Sequence, residues 1–158
     1  MALFRRSKAD RQARHWDWDP DASDLSGEQL WALLTNALYF RVSSGRLDTL
    51  GGALTTLDWQ AGLSSSWGVS NLADFNRMID WMRTEGHRAD WASDGTDDGD
   101  DKLAWDYCRI IILSGGAWLA DLVDESRAWD LTLEAADAMA GRFDSWSALG
   151  WNLSLIHI

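Results

Sequence analysis

Apolar residues recur every three or four positions in four stretches of the chain, the spacing of one face of an α-helix. These stretches lie near residues 27–42, 71–85, 102–113 and 125–142. No segment sustains the alternation of apolar and polar residues that is typical of a strand. We therefore predict an all-α protein, a compact single-domain helical bundle of four to six helices.

Residues that favour helix ends support these boundaries. Ser26 is followed three residues later by Gln29, the signature of a capping box. Gly86 follows the second stretch, at the position where a left-handed residue commonly closes a helix. The pair Gly115 and Gly116 is expected to stop the third helix. Weaker patterns at residues 48–57 and after residue 144 are consistent with two further short helices.

Polar segments divide the chain into three parts. Residues 1–24 are charged and are expected to form a flexible N-terminal arm, residues 25–153 the helical domain, and residues 154–158 an atypical tail. Residues 1–20 and 92–100 should be the least ordered, because they have little apolar surface to bury in exchange for lost conformational entropy.

The composition restricts the partners and the compartment. Asp and Glu outnumber Lys and Arg by 25 to 14, so a nucleic-acid partner is disfavoured. The acidic composition favours a well-solvated surface, and a basic protein partner is the alternative. The only cysteine, Cys108, cannot form an intrachain disulfide. The N-terminus lacks an apolar signal segment, and no apolar run is long enough to cross a membrane. We expect a cytoplasmic protein.

Tryptophan is the unusual component, with 12 residues. Each indole buries a large area and carries one donor, so twelve predict either a core built around indoles or several indoles lining a cleft. Trp105 begins the most apolar helix, and we expect it to lie in the core, where truncation to alanine costs about 3–5 kcal/mol.

Two polar sets are candidate sites. Asp106 and Arg109 lie three residues apart on the most apolar helix, so they share a face and are expected to form an internal ion pair. The alternative is a polar cleft flanked by Trp105. In the second set, Ser145 is expected to cap the last helix while Trp146 fills the core.

No motif indicates a metal, a cofactor or a catalytic residue. His15, His87 and His157 have no ligand spacing with one another or with the cysteine. The aspartate-rich loop at residues 94–101 has Thr96 at the third position of a calcium loop, and Trp105 takes the place of the glutamate at the twelfth. There is no glycine-rich phosphate loop and no nucleophile elbow.

Three segments resemble the bacterial domain-of-unknown-function family 1266. They are Trp67-Gly68-Val69 with Gly86-His87-Arg88, then Ala104-Trp105-Asp106 with Arg109 and the two glycines, and then Phe143-Asp144-Ser145-Trp146. Together they span about residues 30–153. The resemblance implies a mostly helical, intracellular protein, and no reaction is established for the family.

The C-terminus departs from the pattern of that family. Residues 154–158 replace a further helical stretch and resemble translated sequencing-adapter sequence, which predicts a truncated C-terminus. A divergent natural tail is the alternative.

Three functions remain open. The first hypothesis is a non-enzymatic protein-interaction module, which rests on the acidic surface and the lack of a catalytic set. The second is an enzyme whose cleft joins the indoles and polar groups of both candidate sets. Its residues would be His87, Trp105, Asp106, Arg109 and Trp146. The third is an immunity-type protein that neutralises a basic toxin.

Overall fold

The computed structural model describes residues 24–37, 47–52, 54–92 and 103–154. These residues contain seven helices and no strand. The helices are α1 (Gly27–Thr35), α2 (Thr56–Trp67), α3 (Leu72–Thr84), α4 (Gly86–Ala92), α5 (Leu103–Leu119), α6 (Glu125–Arg142) and α7 (Trp146–Ser154). The predicted all-α fold is confirmed, and the count of seven is above the predicted four to six.

Some predictions from the sequence concern residues outside these described ranges. Nearly all of the expected arm at residues 1–24, and of the stretch 92–100 that is expected to be poorly ordered, lies outside the described ranges, as do residues 155–158.

Capping side chains fix the starts of the helices. Ser26 and Gln29 form the predicted capping box of α1. A second box precedes α2, where the Thr55 hydroxyl accepts a hydrogen bond from the Asp58 amide at 3.3 Å. The weak helical pattern at residues 48–57 does not form a helix over that span, because residues 47–52 form bends and turns and α2 begins only after this cap.

Helix α5 is the centre of the bundle. It packs against α2, α3, α4, α6 and α7. Eleven of its 17 residues are buried, as expected for a helix that is apolar around most of its circumference. Cys108 lies in this buried region, and burial raises the pKa of its thiol, which stays protonated. No helix of the described ranges is both long enough and apolar enough to span a bilayer.

The two glycines of α5 are packing notches and not a stop signal. The helix continues through both of them to Leu119, so the predicted end at residue 113 is wrong. A Cβ added at Gly115 would overlap the backbone of Gly51, and one added at Gly116 would overlap the ring of Trp59. The indole of Trp59 also donates to the Gly51 carbonyl at 3.0 Å. The missing side chains therefore allow α2 and the preceding turn to approach α5 closely.

Aliphatic side chains form most of the core. Of the nine tryptophans with described side chains, only Trp59 and Trp129 are buried. The core consists mainly of leucine, isoleucine, alanine and methionine from α3, α5 and α6. The prediction of a core built around indoles is therefore wrong for the described residues. Several of the indoles lie at the edge of the core.

The notch at Gly116 predicts opposite effects for two glycine-to-alanine changes. Gly116→Ala forces a methyl group into the Trp59 ring and should destabilise the protein by about 2 kcal/mol, as overpacking does. The matched control is Gly62→Ala in α2, where a Cβ would meet nothing within 4 Å. It should stabilise by about 0.5–1 kcal/mol through helix propensity. Urea unfolding of both variants decides the matter, and effects of the same sign would contradict this packing.

Candidate functional site

A buried carboxylate at the start of α5 holds the beginning of α4. The side chain of Asp106 is 0 % exposed. Its Oδ1 accepts from the backbone N–H of His87 at 3.0 Å, and its Oδ2 from that of Arg88 at 3.3 Å. These amides belong to the first turn of α4, where no intrahelical acceptor exists. Asp106 thus caps a neighbouring helix, where its negative charge also meets the positive end of the helix dipole.

The chain turns sharply at Gly86, between α3 and α4. Its φ of 62° lies in the left-handed region, as the sequence predicted. A Cβ at this position would also overlap the carboxylate of Asp106. Two independent constraints therefore require glycine at this position, namely the backbone conformation and the close approach of the carboxylate.

Arg88 is the ionic partner of this carboxylate. Its Nη1 donates to Oδ2 of Asp106 at 3.1 Å and to the Met82 carbonyl at 2.7 Å. Its Nη2 donates to the Arg83 carbonyl at 2.6 Å. The same guanidinium therefore satisfies two carbonyls at the end of α3 and neutralises Asp106.

The predicted ion pair between Asp106 and Arg109 is wrong. Both residues lie on one side of α5, but their side chains diverge, because Asp106 reaches the N–H groups and guanidinium of the α3–α4 corner. The guanidinium carbon of Arg109 lies 4.6 Å from the ring centre of Trp67 and 4.8 Å from that of Trp105. These contacts are cation–π interactions.

His87 lies between the two charged groups and is about one-third exposed. Its Nδ1 is 3.2 Å from Oδ1 of Asp106, and Nη1 of Arg109 lies 2.8 Å from Nδ1 and 2.9 Å from Nε2. A carboxylate can only accept, so a proton on Nδ1 would satisfy the contact with Asp106. Nη1 of Arg109 is nearly equidistant from the two ring nitrogens, so it lies over the imidazole and not in line with either nitrogen. The ring also meets the edge of Trp81, with 4.8 Å between ring centres.

Four of the six candidate residues meet in this cluster, namely His87, Trp105, Asp106 and Arg109. Trp105 is partly buried beside the guanidinium and is not part of the hydrophobic core, so its predicted core position is wrong. Sequence reasoning missed the role of Arg88 and of the indoles at positions 67 and 81. The available signal was an arginine two residues after a helix-closing glycine, within reach of the preceding carbonyls.

The other two candidates, Ser145 and Trp146, lie at a separate groove. The Ser145 hydroxyl accepts from the Ala148 amide at 3.1 Å, so it caps α7 as predicted. Trp146 is 57 % exposed, and its predicted place in the core is wrong. It shares a helical face with the buried Leu149 but lies one turn nearer the helix end, at the edge of the core.

The groove beside Trp146 has a volume of about 240 Å³ and is formed between α1, α6 and the start of α7. Its walls are mostly aromatic and aliphatic, and its one charged residue is an aspartate. The lining residues are Trp31, Thr35, Met139, Ala140, Phe143, Asp144, Ser145, Trp146 and Leu149. None of them belongs to the Asp106 cluster. Within the described ranges, no three His, Cys, Asp or Glu side chains gather where they could hold a metal ion.

Coupling between Asp106 and Arg88 should be measurable in a double-mutant cycle. Arg88→Met leaves the buried carboxylate without its cation and should cost about 3–5 kcal/mol in unfolding free energy. Asp106→Asn should cost a similar amount, and the double variant should cost less than the sum by about 1–3 kcal/mol.

The matched control for that cycle is Arg77→Met on α3, which removes an exposed ion pair with Asp74 and should cost less than about 1 kcal/mol. Urea unfolding gives all four free energies. Additive losses for Asp106 and Arg88, or a loss at Arg77 as large as that at Arg88, would contradict the assignment of this pair.

Comparison with known proteins finds a similarity to a family model in the C-terminal part of the chain. The model of the family described as "Protein of unknown function (DUF1266)" matches residues 93–155. Neither the curated proteins nor the solved structures contain a match. The matched region includes α5, α6 and α7, and therefore Asp106, Arg109 and Trp146. Residues 93–155, less than half of the chain, are therefore similar to the DUF1266 family.

Proposed function

We propose that this domain is a non-enzymatic interaction module of the bacterial cytoplasm that binds a basic segment of a partner protein in the α1–α6–α7 groove. The observation that carries the proposal is the exposed indole of Trp146 at the edge of an apolar groove. An aromatic side chain on the wall of a pocket is typical of the residues that dominate protein interfaces.

Charge favours a basic partner. The one charged residue of the groove is Asp144, and the chain as a whole carries a net charge of −11. An apolar anchor flanked by Lys or Arg would place its apolar side chain against Phe143 and Leu149. Its cation would then lie near the carboxylate and the indole faces. An acidic segment would be repelled by the same surface.

An immunity-type role is a special case of this proposal, in which the basic partner is a toxin. A toxin gene beside the gene for this chain, together with salt-sensitive binding of its product, would favour that case.

An enzymatic role is the second candidate, and the Asp106–His87 contact is the observation that favours it. A buried carboxylate that orients a partly exposed imidazole is an arrangement used in general-base catalysis. Two features weaken it. The guanidinium of Arg109 lies within 3 Å of both ring nitrogens of His87, and Trp146 lies in the separate groove and not in the same cleft.

Selection from a random peptide library tests the interaction proposal directly. The library is selected on the wild-type protein and counter-selected on Trp146→Ala. The expected consensus is an apolar residue flanked by Lys or Arg. The affinity of a selected peptide should fall at least about tenfold on Trp146→Ala, about 1.4 kcal/mol.

The control variant is Trp151→Ala. Trp151 lies on the same helix and is 69 % exposed, but it does not line the groove. Its replacement should leave the affinity unchanged. An acidic consensus, no enrichment, or equal losses for the two tryptophan variants would overturn the proposal.

A further inference from the structure

The groove beside Trp146 lies close to the point where the chain enters the described domain. The first described range begins at Asp24, three residues before α1, and Trp31 of α1 lines the groove. Because an α-helix rises about 1.5 Å per residue, Trp31 is only about 6 Å along α1 from Gly27. Residues 1–23, which precede the described range, are therefore joined to one wall of the groove.

This preceding part of the chain begins with a basic segment, and the rest of the chain is acidic. Residues 1–16 contain five Arg or Lys and one Asp, a net charge of +4. Residues 17–158 contain nine Arg or Lys and 24 Asp or Glu, a net charge of −15. The acidic domain therefore attracts the basic segment that is covalently attached to it.

Carboxylates surround the groove. Asp144 is one of its lining residues. Glu28 and Asp137 are exposed, and each lies one turn before a lining residue of α1 or α6. Residues three apart on a helix share a face, so both carboxylates border a wall of the groove. The neighbouring cation is Arg142, in the last turn of α6. Three carboxylates against one cation favour a positively charged occupant.

The N-terminal segment contains the side chains that suit this groove. Leu3 and Phe4 are apolar and directly precede Arg5 and Arg6. They combine an apolar anchor with adjacent cations, which is the composition proposed above for the partner. The groove has a volume of about 240 Å³, enough for an aromatic side chain. Phe4 lies 20 residues before Asp24, and 20 residues can span up to about 70 Å, so the anchor can reach the groove.

Covalent attachment strengthens such an interaction. Two groups joined by a short chain meet at an effective concentration on the order of millimolar. A segment that binds as a free peptide with a Kd of about 0.1 mM would then occupy the groove about nine-tenths of the time. We propose that residues 1–16 bind in the groove of their own chain, with Leu3 and Phe4 as the anchor, and compete there with the basic partner. This inference rests on the proposed function, because it assigns an internal competitor to the same groove.

A nitroxide spin label on the variant Ala2→Cys tests the contact in the full chain. Cys108 is buried and its thiol stays protonated, so the label attaches at position 2. In nuclear magnetic resonance spectra, the label should broaden the indole N–H signals of Trp31 and Trp146 far more than that of Trp59, which packs on the opposite end of α5.

The double variant Leu3→Ser with Phe4→Ser should relieve this broadening, and the control Gln12→Ser should not, because Gln12 lies in the same segment but outside the anchor. Spin-labelled chains mixed with isotope-labelled chains that lack the spin label should show no broadening. Broadening in the mixture would place the segment on a second copy and would overturn binding within one chain. Absence of broadening at Trp31 and Trp146, or broadening that the double variant leaves unchanged, would also overturn the inference.

A competition experiment separates this inference from the proposed function. A peptide selected on the groove should bind the double variant about tenfold more tightly than the wild type, because its competitor is removed. The Gln12→Ser variant should bind the peptide as the wild type does. Equal affinity for the wild type and the double variant, with a loss on Trp146→Ala, would contradict the internal competitor and leave the proposed function standing. If no peptide is selected, the proposed function fails, and the spin-label experiment alone decides the inference.

Discussion

The carboxylate of Asp106 is the interaction on which the rest of the site depends. It is removed from solvent on the central helix, and four donors from the α3–α4 corner compensate for its burial. Removing any one partner leaves a polar group unsatisfied in the interior, which is costly. The corner and the imidazole of His87 are therefore positioned by a single side chain.

Much of the fold could be predicted because helices are encoded locally. The apolar spacing and caps of α3 and α6 indicated their bounds to within about a residue. The wrong predictions lie at positions where tertiary packing, and not the local sequence, determines the structure. Gly115 and Gly116 resemble a stop signal in the sequence, but only the proximity of Gly51 and Trp59 explains why α5 needs two residues without side chains and continues through them.

The sequence identified most residues of the site but not the contacts between them. Helical spacing correctly placed Asp106 and Arg109 on one side of α5, but it cannot say where two long side chains point. Arg88 is 18 residues from Asp106 in sequence, and the aspartate-rich loop lies between them. No local pattern encodes such a pairing. Likewise, Trp146 carries the spacing of a core residue, and only the arrangement of α6 and α7 places it at the edge of a groove.

Native-state hydrogen exchange at the first turn of α4 tests the central role of Asp106 most directly. The first amides of a helix normally exchange quickly, and Ser126 at the start of α6 is the internal reference. If the buried carboxylate holds the corner to the core, the amides of His87 and Arg88 should exchange within about tenfold of Ile111, because all three then open together. Exchange of His87 and Arg88 as fast as that of Ser126 would contradict the account.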